Sequence, residues 1–424
     1  MEEVKQGFEN GAPQGIPPIA IRAGRVGTTI SLHEPDRVPF IPCMNNFYAY
    51  HYDMVTVKEW MTDPTCMFPV MQRYLKDYDP DIVWSPIYFP IKGMEAAGSN
   101  YNRWPGEYWN LPDNTAYQYI DHSFMDVEDY DEFFRDPTLF ILNKVLPQKY
   151  KNFPGLALLN PYGLCNQCIL SATQLGLPPV QETLQSMIKT GQEVMDYMGK
   201  GIGLEMSVVE AGYPVFGSTT VCCAFDDFAD HVRGLMDLCM DVVTDPEKVD
   251  RALELWGDVT YPAAIAQAKM AHAQYVFIPL HCGVDNFMSL ENYEKHYWPC
   301  LKRLIDMLIA ADLTPFVMCE GKYFTRLDCI SDVEPGKVLY FIEQTNWKEA
   351  KEKVGKVAAI AGAMDTNTLM FKKPEDVEDE VKKMFDILAP GGGFVSANSV
   401  ALDYVTPENM HAWRNAVDKY GTYK

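Results

Sequence analysis

Short apolar runs, each stopped by a polar residue, punctuate the second half of this chain. They begin near Tyr275, Pro315, Lys337, Val357 and Gly393. Between them lie segments with helical spacing and recognisable starts. Pro374-Glu375-Asp376, Thr406-Pro407-Glu408 and, upstream, Asp245-Pro246-Glu247 place proline and acidic residues where a first helical turn favours them. Buried strands alternating with helices predict βαβ units around a parallel sheet. The sharpest case is Gln274 to Tyr293, QYVFIPLHCGVDNFMSLENY. There the run Tyr275 to Leu280 ends on His281 and Cys282, and a helical pattern starts at Ser289. A strand that finishes on reactive side chains, with a helix returning behind it, is how an α/β barrel builds an active site.

The first half is less regular. Candidate strands there are Val38 to Pro42, Asp81 to Ser85, Gly155 to Leu159 and Gly201 to Met206. With the five downstream they make nine, one more than a (β/α)8 TIM barrel uses, so at least one has another structure. From Phe89 to Phe133 the chain is rich in Tyr, Trp, Asn, Asp and Pro without a clear period. That composition predicts a long insertion over the barrel mouth. No linker, repeat or low-complexity tract divides the chain. The expectation is an N-terminal arm over residues 1–30 and a single barrel over 31–424.

Composition removes several classes of function. A net charge of −22 argues against nucleic acid, whose phosphates demand basic patches. No apolar stretch is long enough to span a membrane, and the start MEEVKQGFENG lacks the layout of a signal peptide. The expected location is therefore the cytoplasm. Eleven scattered cysteines do not form a disulfide framework, and Cys239 and Cys300 read as core residues. Cys165 and Cys168 form a lone C-x-x-C without the second pair that a zinc site needs, and read as structural. Gly391-Gly392-Gly393 precedes a strand rather than following one, which predicts a tight turn and not a phosphate loop.

Chemistry is expected where strands finish. Those positions are Asn45, Asn46 and Tyr48, then Tyr88, then Asn160 and Tyr162, then Glu210 and Tyr213. After them come His281 with Cys282, Cys319 with Glu320, Glu343, Asp365 and finally Asn398. Four consecutive ends thus offer His, Cys or a carboxylate. His281, Cys319 and Glu320 would give zinc nitrogen, sulfur and oxygen ligands. The plainer alternatives are a hydrogen-bonded structural histidine, and a salt bridge from Glu320 to Lys322 or Arg326. Adjacent strand residues face opposite ways, so His281 and Cys282 cannot easily share one ion. Glu210 and His231 make another acid–imidazole pair, although His231 falls in a helical segment and reads as surface or packing.

Several stretches together resemble the uroporphyrinogen decarboxylase superfamily, in particular its corrinoid-dependent methyltransferase branch. They are Asp36-Arg37-Val38-Pro39, Asp227 through Arg233-Gly234, PLHCGVDNFMS, CEGKYFTRL, IEQTNWKEAKEKVG, IAGAMDTNTLM, APGGGF and TPENM. The resemblance runs from about residue 30 to the C-terminus. It implies a (β/α)8 barrel with its substrate pocket at the carboxyl ends of the strands. Two departures narrow the activity. Decarboxylases of the superfamily carry an Arg-Gln-Ala-Gly-Arg segment after the first strand, whereas IPCMNNFYAYHYD here has no arginine to hold substrate carboxylates. Thiol-methylating members carry a His-x-Cys and a distant Cys on zinc; here His281 and Cys282 are adjacent and the distant position falls at Gly392.

What the resemblance implies is a first methyltransferase of a demethylation system, moving a methyl group from a methoxylated aromatic to the cobalt of a separate corrinoid-binding protein. In that reading His281, Glu320 and Cys319 surround zinc, and Glu343 or Asp365 supplies or relays a proton. Asn46, Tyr48, Tyr88 and Asn398 shape the pocket. A methylcobalamin-to-thiol methyltransferase, a decarboxylase and a non-catalytic binding barrel stay open as alternatives. So do the identity of the methyl donor and the oligomeric state, a homodimer included.

Overall fold

Nine strands occur among residues 16–165 and 169–423, which the computed structural model describes. In chain order they are β1 (Val83–Trp84), β2 (Asn102–Arg103), β3 (Gln118–Tyr119), β4 (Val215–Phe216) and β5 (Tyr275–Leu280). Then come β6 (Thr314–Lys322), β7 (Leu339–Gln344), β8 (Ala359–Met364) and β9 (Phe394–Asn398). All five downstream apolar runs are strands, paired in parallel in the order β5-β6-β7-β8-β9. Helices such as Trp298–Ala310 and Pro374–Leu388 make the crossovers.

Side-chain alternation sorts these strands into two layers. Phe277, Phe316, Met318, Leu339, Phe341, Ala359, Ala361, Val395 and Ala397 share one buried cluster with Ile41, Ile82 and Phe216. This cluster is the barrel interior. The alternate residues Ile278, Leu280, Val317, Cys319, Tyr340, Ile342 and Ile360 join the larger cluster under the outer helices. Each large apolar side chain buried this way contributes about 1.5–3 kcal/mol, so a one-residue slip of any strand is heavily penalised.

Three positions of the ring are held by shorter pieces. Phe40 bridges Ser396 of β9, and the Asp81 N–H donates to the Phe40 carbonyl at 2.8 Å. Strand β1 pairs in parallel with β4, and Thr220 bridges Phe277 of β5. Eight chain segments therefore surround the interior cluster, although no continuous eight-stranded sheet closes. Two expected strands are replaced. Gly155 to Leu159 lies in the 3₁₀ turn Pro154–Leu158, and Gly201 to Met206 lies inside the helix Pro178–Glu210. A side chain at 201 would sit 2.9 Å from Ile87, so glycine there marks close packing of a helix and not a strand. The ring position they were meant to fill belongs to β4, too short to stand out in the sequence.

Helix Pro18–Ile30, within the expected N-terminal arm, sends Val26 and Ile30 into the interior cluster. Its Arg25 pairs with Asp36 at 2.6 Å and with Asp81, which is fully buried and also paired with Arg37 at 2.8 Å. These residues lie where the strands begin, so the Asp36-Arg37 motif is a staple at the closed end. Gly391, Gly392 and Gly393 all adopt positive φ (79°, 80° and 70°) in the turn entering β9, as expected. Cys165 is exposed, and Cys168 lies outside the described residues, as do residues 1–15 of the arm. Among the described residues no helix is long and apolar enough to cross a membrane. The tract from Phe89 holds helix Ile91–Ala97 and the antiparallel pair β2–β3, ahead of the helix Pro178–Glu210.

Candidate active site

Strand parity aims His281 into the barrel mouth, because it continues the inward series Tyr275 and Phe277. Its Nε2 lies 3.0 Å from Asp230 Oδ2, and its Nδ1 lies 3.8 Å from Glu320 Oε2. Glu320 reaches it through a register shift between Cys319 and Lys322 in β6, where Gly321 adopts φ 83°. Such bulges commonly re-aim a side chain beside an active site. The freed Gly321 N–H donates to Glu343, which ends the inward series Leu339 and Phe341 of β7. Asp365 caps helix Thr366–Phe371 next along the rim, accepting from the Asn367 N–H at 3.1 Å.

Asp230 comes from a π turn, Ala229–Arg233, that continues helix Ala224–Phe228. Single π turns of this kind recur at functional sites. The same helical segment supplies Asp226, fully buried, whose Oδ1 accepts from the backbone N–H groups of His281 (3.3 Å) and Cys282 (2.8 Å). Its Oδ2 accepts from the Tyr297 hydroxyl and, at 3.0 Å, from the Cys223 thiol. Asp226 therefore fixes the end of β5, and with it the imidazole.

Burial opposes charge on His281, yet the close Asp230 carboxylate, the approach of Glu320 and the charge of Asp226 outweigh it. The ring is held protonated well above the ordinary imidazole value. Burial raises the Glu343 carboxyl, helped by the charges of Glu320 and Asp365 and opposed by the Gly321 N–H. Burial also raises Asp403, against the Asn46 N–H that donates to it at 3.0 Å. The mouth thus holds one imidazolium and carboxyls that retain protons more readily than usual.

The donor set does not fit zinc. Cys319 belongs to the outward series, buried under the outer helices, and is not brought to His281 and Glu320; Cys282 joins the same layer. Asp230 and Glu320 address opposite nitrogens of the imidazole, so no point is shared by all three groups. Among the described residues no set of three His, Cys, Asp or Glu is arranged to hold an ion. As arranged, the imidazole faces a carboxylate on each side and not a common ligand position.

The four expected pocket residues divide in two. Asn398 is spent on structure, accepting from the Cys43 N–H at 2.7 Å and donating to the Cys43 carbonyl at 2.9 Å. Tyr48 is fully buried and donates to the Trp84 carbonyl at 3.2 Å. Asn46 and Tyr88 instead keep buried polar atoms without partners. Around them stand aromatic rings of the insertion and its neighbours. Tyr88 stacks on Trp60 with centroids 4.7 Å apart, and Tyr117 stacks on Trp104 at 5.0 Å. Burial raises the Tyr117 hydroxyl, and Glu320, Asp230 and Asp403 add to the effect, which places this ring beside the imidazole. The insertion does reach over the mouth.

Other expected strand-end residues lie elsewhere. Asn160 and Tyr162 follow the 3₁₀ turn Pro154–Leu158, and Tyr162 donates to Asp136. Glu210 is exposed at the end of its helix, and Tyr213 donates to Asp79 at 2.9 Å. Glu320 makes no ion pair with Lys322 or Arg326; Arg326 is buried and serves carbonyls of residues 283, 284 and 288. His231 is not paired with Glu210 but faces Lys149 at 3.0 Å and Asp227 at 3.6 Å. Burial depresses that lysine to about 8, against the charges of Asp227 and Asp230, which raise it. Missed by the sequence reading were Asp226, Asp230, Asp403 and Tyr117. The one signal was for Asp230, which lies in the matching stretch from Asp227 to Gly234; Asp226 falls just before it.

No curated protein sequence matches this chain. A solved structure that resembles it is a methyltransferase from Methanosarcina mazei, with a TM-score of 0.63. The likeness covers 94% of this chain and 98% of that one at 14% identity, and at that identity it shows the fold. The sequence pattern of the family described as uroporphyrinogen decarboxylase (URO-D) matches residues 189–420, more than half of the chain, and the chain belongs to that family.

Proposed function

We propose that this protein is a methyltransferase that takes a methyl group from an aromatic methyl ether and passes it to a corrinoid carried by a separate protein. The observation that carries the reading is the His281 ring held between Asp230 at 3.0 Å and Glu320 at 3.8 Å, with Glu343 next to Glu320. Removing the methyl of an aryl ether breaks the O–CH₃ bond and leaves the electron pair on the phenolic oxygen. That oxygen needs a proton, and a positioned acid contributes a factor of about 10²–10⁴. Glu343 or His281 donates it, and Asp365, whose charge bears on Glu343, relays the replacement from solvent. The stacked rings at Tyr88 and Tyr117 suit a flat aromatic donor. The reduced cobalt of the partner's corrinoid supplies the nucleophile for the methyl carbon.

The Methanosarcina mazei relative, itself a methyltransferase, supports the reading at the level of the fold. A thiol-methylating site would want sulfur ligands, and Cys282 and Cys319 face away from the mouth. A porphyrinogen decarboxylase would want cations for its substrate's carboxylates, and residues 41–53 carry no arginine. The test presents the protein with reduced corrinoid protein and a panel of methoxylated aromatics, following phenol release by chromatography and the corrinoid by absorbance. Phenol appearing in step with methylated corrinoid supports the proposal. Methylation of a thiol from methylcobalamin, with no donor demethylated, overturns it.

A further inference from the structure

Asn46 has no exposed surface, and neither its amide nitrogen nor its amide oxygen has a hydrogen-bond partner. The hydroxyl of Tyr88 is also buried without a partner. Buried polar groups are nearly always satisfied, so two unsatisfied ones side by side point to something they wait for. They are neighbours, for the Asn46 side chain reaches toward both the Tyr88 hydroxyl and the Asp403 carboxyl without closing a hydrogen bond of normal geometry on either. An amide and a phenol each offer a donor and an acceptor. Together they match a neutral hydroxyl or ether oxygen, which itself both accepts and, as a hydroxyl, donates.

Charge around that pair is one-sided. Asp403 adjoins it, the charge of Glu320 bears on Tyr117, and Glu343 neighbours Glu320 in turn. Among the described residues none of these three carboxyls pairs with lysine or arginine, and the His281 charge is already shared by Asp230 and Glu320. A ligand carboxylate here would lose its water and meet like charge. A cationic methyl donor would find charges to meet, but it would leave as a neutral amine that needs no proton, and it would give Asn46 and Tyr88 nothing to bond.

We infer that the methyl donor is an uncharged methoxyphenol, not a methoxybenzoate, and that Asn46 and Tyr88 hold its second, neutral oxygen. This rests on the proposed methyl transfer and narrows its substrate. Binding tests it apart from turnover. Calorimetric titrations at fixed salt would compare 2-methoxyphenol, 4-hydroxy-3-methoxybenzoate and tetramethylammonium on the intact protein. The uncharged ether is expected to bind at least about tenfold tighter than its carboxylated counterpart, and both Asn46→Ala and Tyr88→Phe to weaken it about tenfold. Tyr88→Phe keeps the ring and its stacking on Trp60, so it reads the hydrogen bond even if the Asn46 variant folds poorly. Equal or tighter binding of the carboxylate or the ammonium ion would overturn the inference while leaving methyl transfer standing. Failure of every aromatic ether to bind would overturn both.

Discussion

His281 is defined by what holds it. Asp226 fixes its backbone, Asp230 takes one ring nitrogen and Glu320 approaches the other. The folded pKa is raised above the unfolded value of about 6.5, so the stability contributed by the charged ring is complete below that pH. It is lost as pH rises through the folded value. Proton NMR of the ring should therefore report imidazolium through neutral pH, and Asp230→Asn should move the midpoint down toward the ordinary value. A wild-type ring that titrates at the ordinary value would contradict this. His281, Glu320 and Glu343 could be read from the sequence because each ends an apolar run. Asp230 could not, since it comes from a helix after a strand of two residues. Cys319 was misplaced because alternation gives the mouth to only one of two neighbours, and the inward series of Phe316 and Met318 selects Glu320.

At the scale of elements, the closed end of the barrel depends on charge as much as on packing. Asp81 is fully buried between Arg25 of helix Pro18–Ile30 and Arg37 beside the first ring segment. Asp81→Asn would leave two arginines facing a neutral amide, and removing one partner of a buried ion pair costs about 3–5 kcal/mol. Despite the burial, Arg37 and Arg25 hold the Asp81 carboxyl below its ordinary value. Its contribution is accordingly present above the unfolded carboxylate value and lost as pH falls through the folded one. Urea unfolding of the variant at neutral pH should reveal the loss, and an unchanged midpoint would refute the staple. The same scale explains which elements were legible. Strands β5 to β9 announce themselves because both faces are buried and their runs are continuous. The stretches at Gly155 and Gly201 mimic such runs but serve a turn and a helix packed on Ile87. Only their partners in space distinguish them.

Over the whole molecule, one half of the ring is a regular parallel sheet and the other is built from short bridges. The regular half brings His281, Glu320, Glu343 and Asp365 to one rim. The irregular half contributes Asn46 and Tyr88, with the insertion bringing Tyr117 above them. Part of the net charge of −22, the carboxyls of Asp230, Glu320, Glu343 and Asp403, stands at this mouth, where it bears on which ligands can enter. The central claim is that a protonated His281 assists departure of the phenolic oxygen. Single-turnover methyl transfer from 2-methoxyphenol to reduced corrinoid protein, followed by absorbance, compares wild type with His281→Asn most directly. The variant should fold normally and transfer more slowly by about 10²-fold or more. Transfer at the wild-type rate by a folded His281→Asn protein would contradict the account.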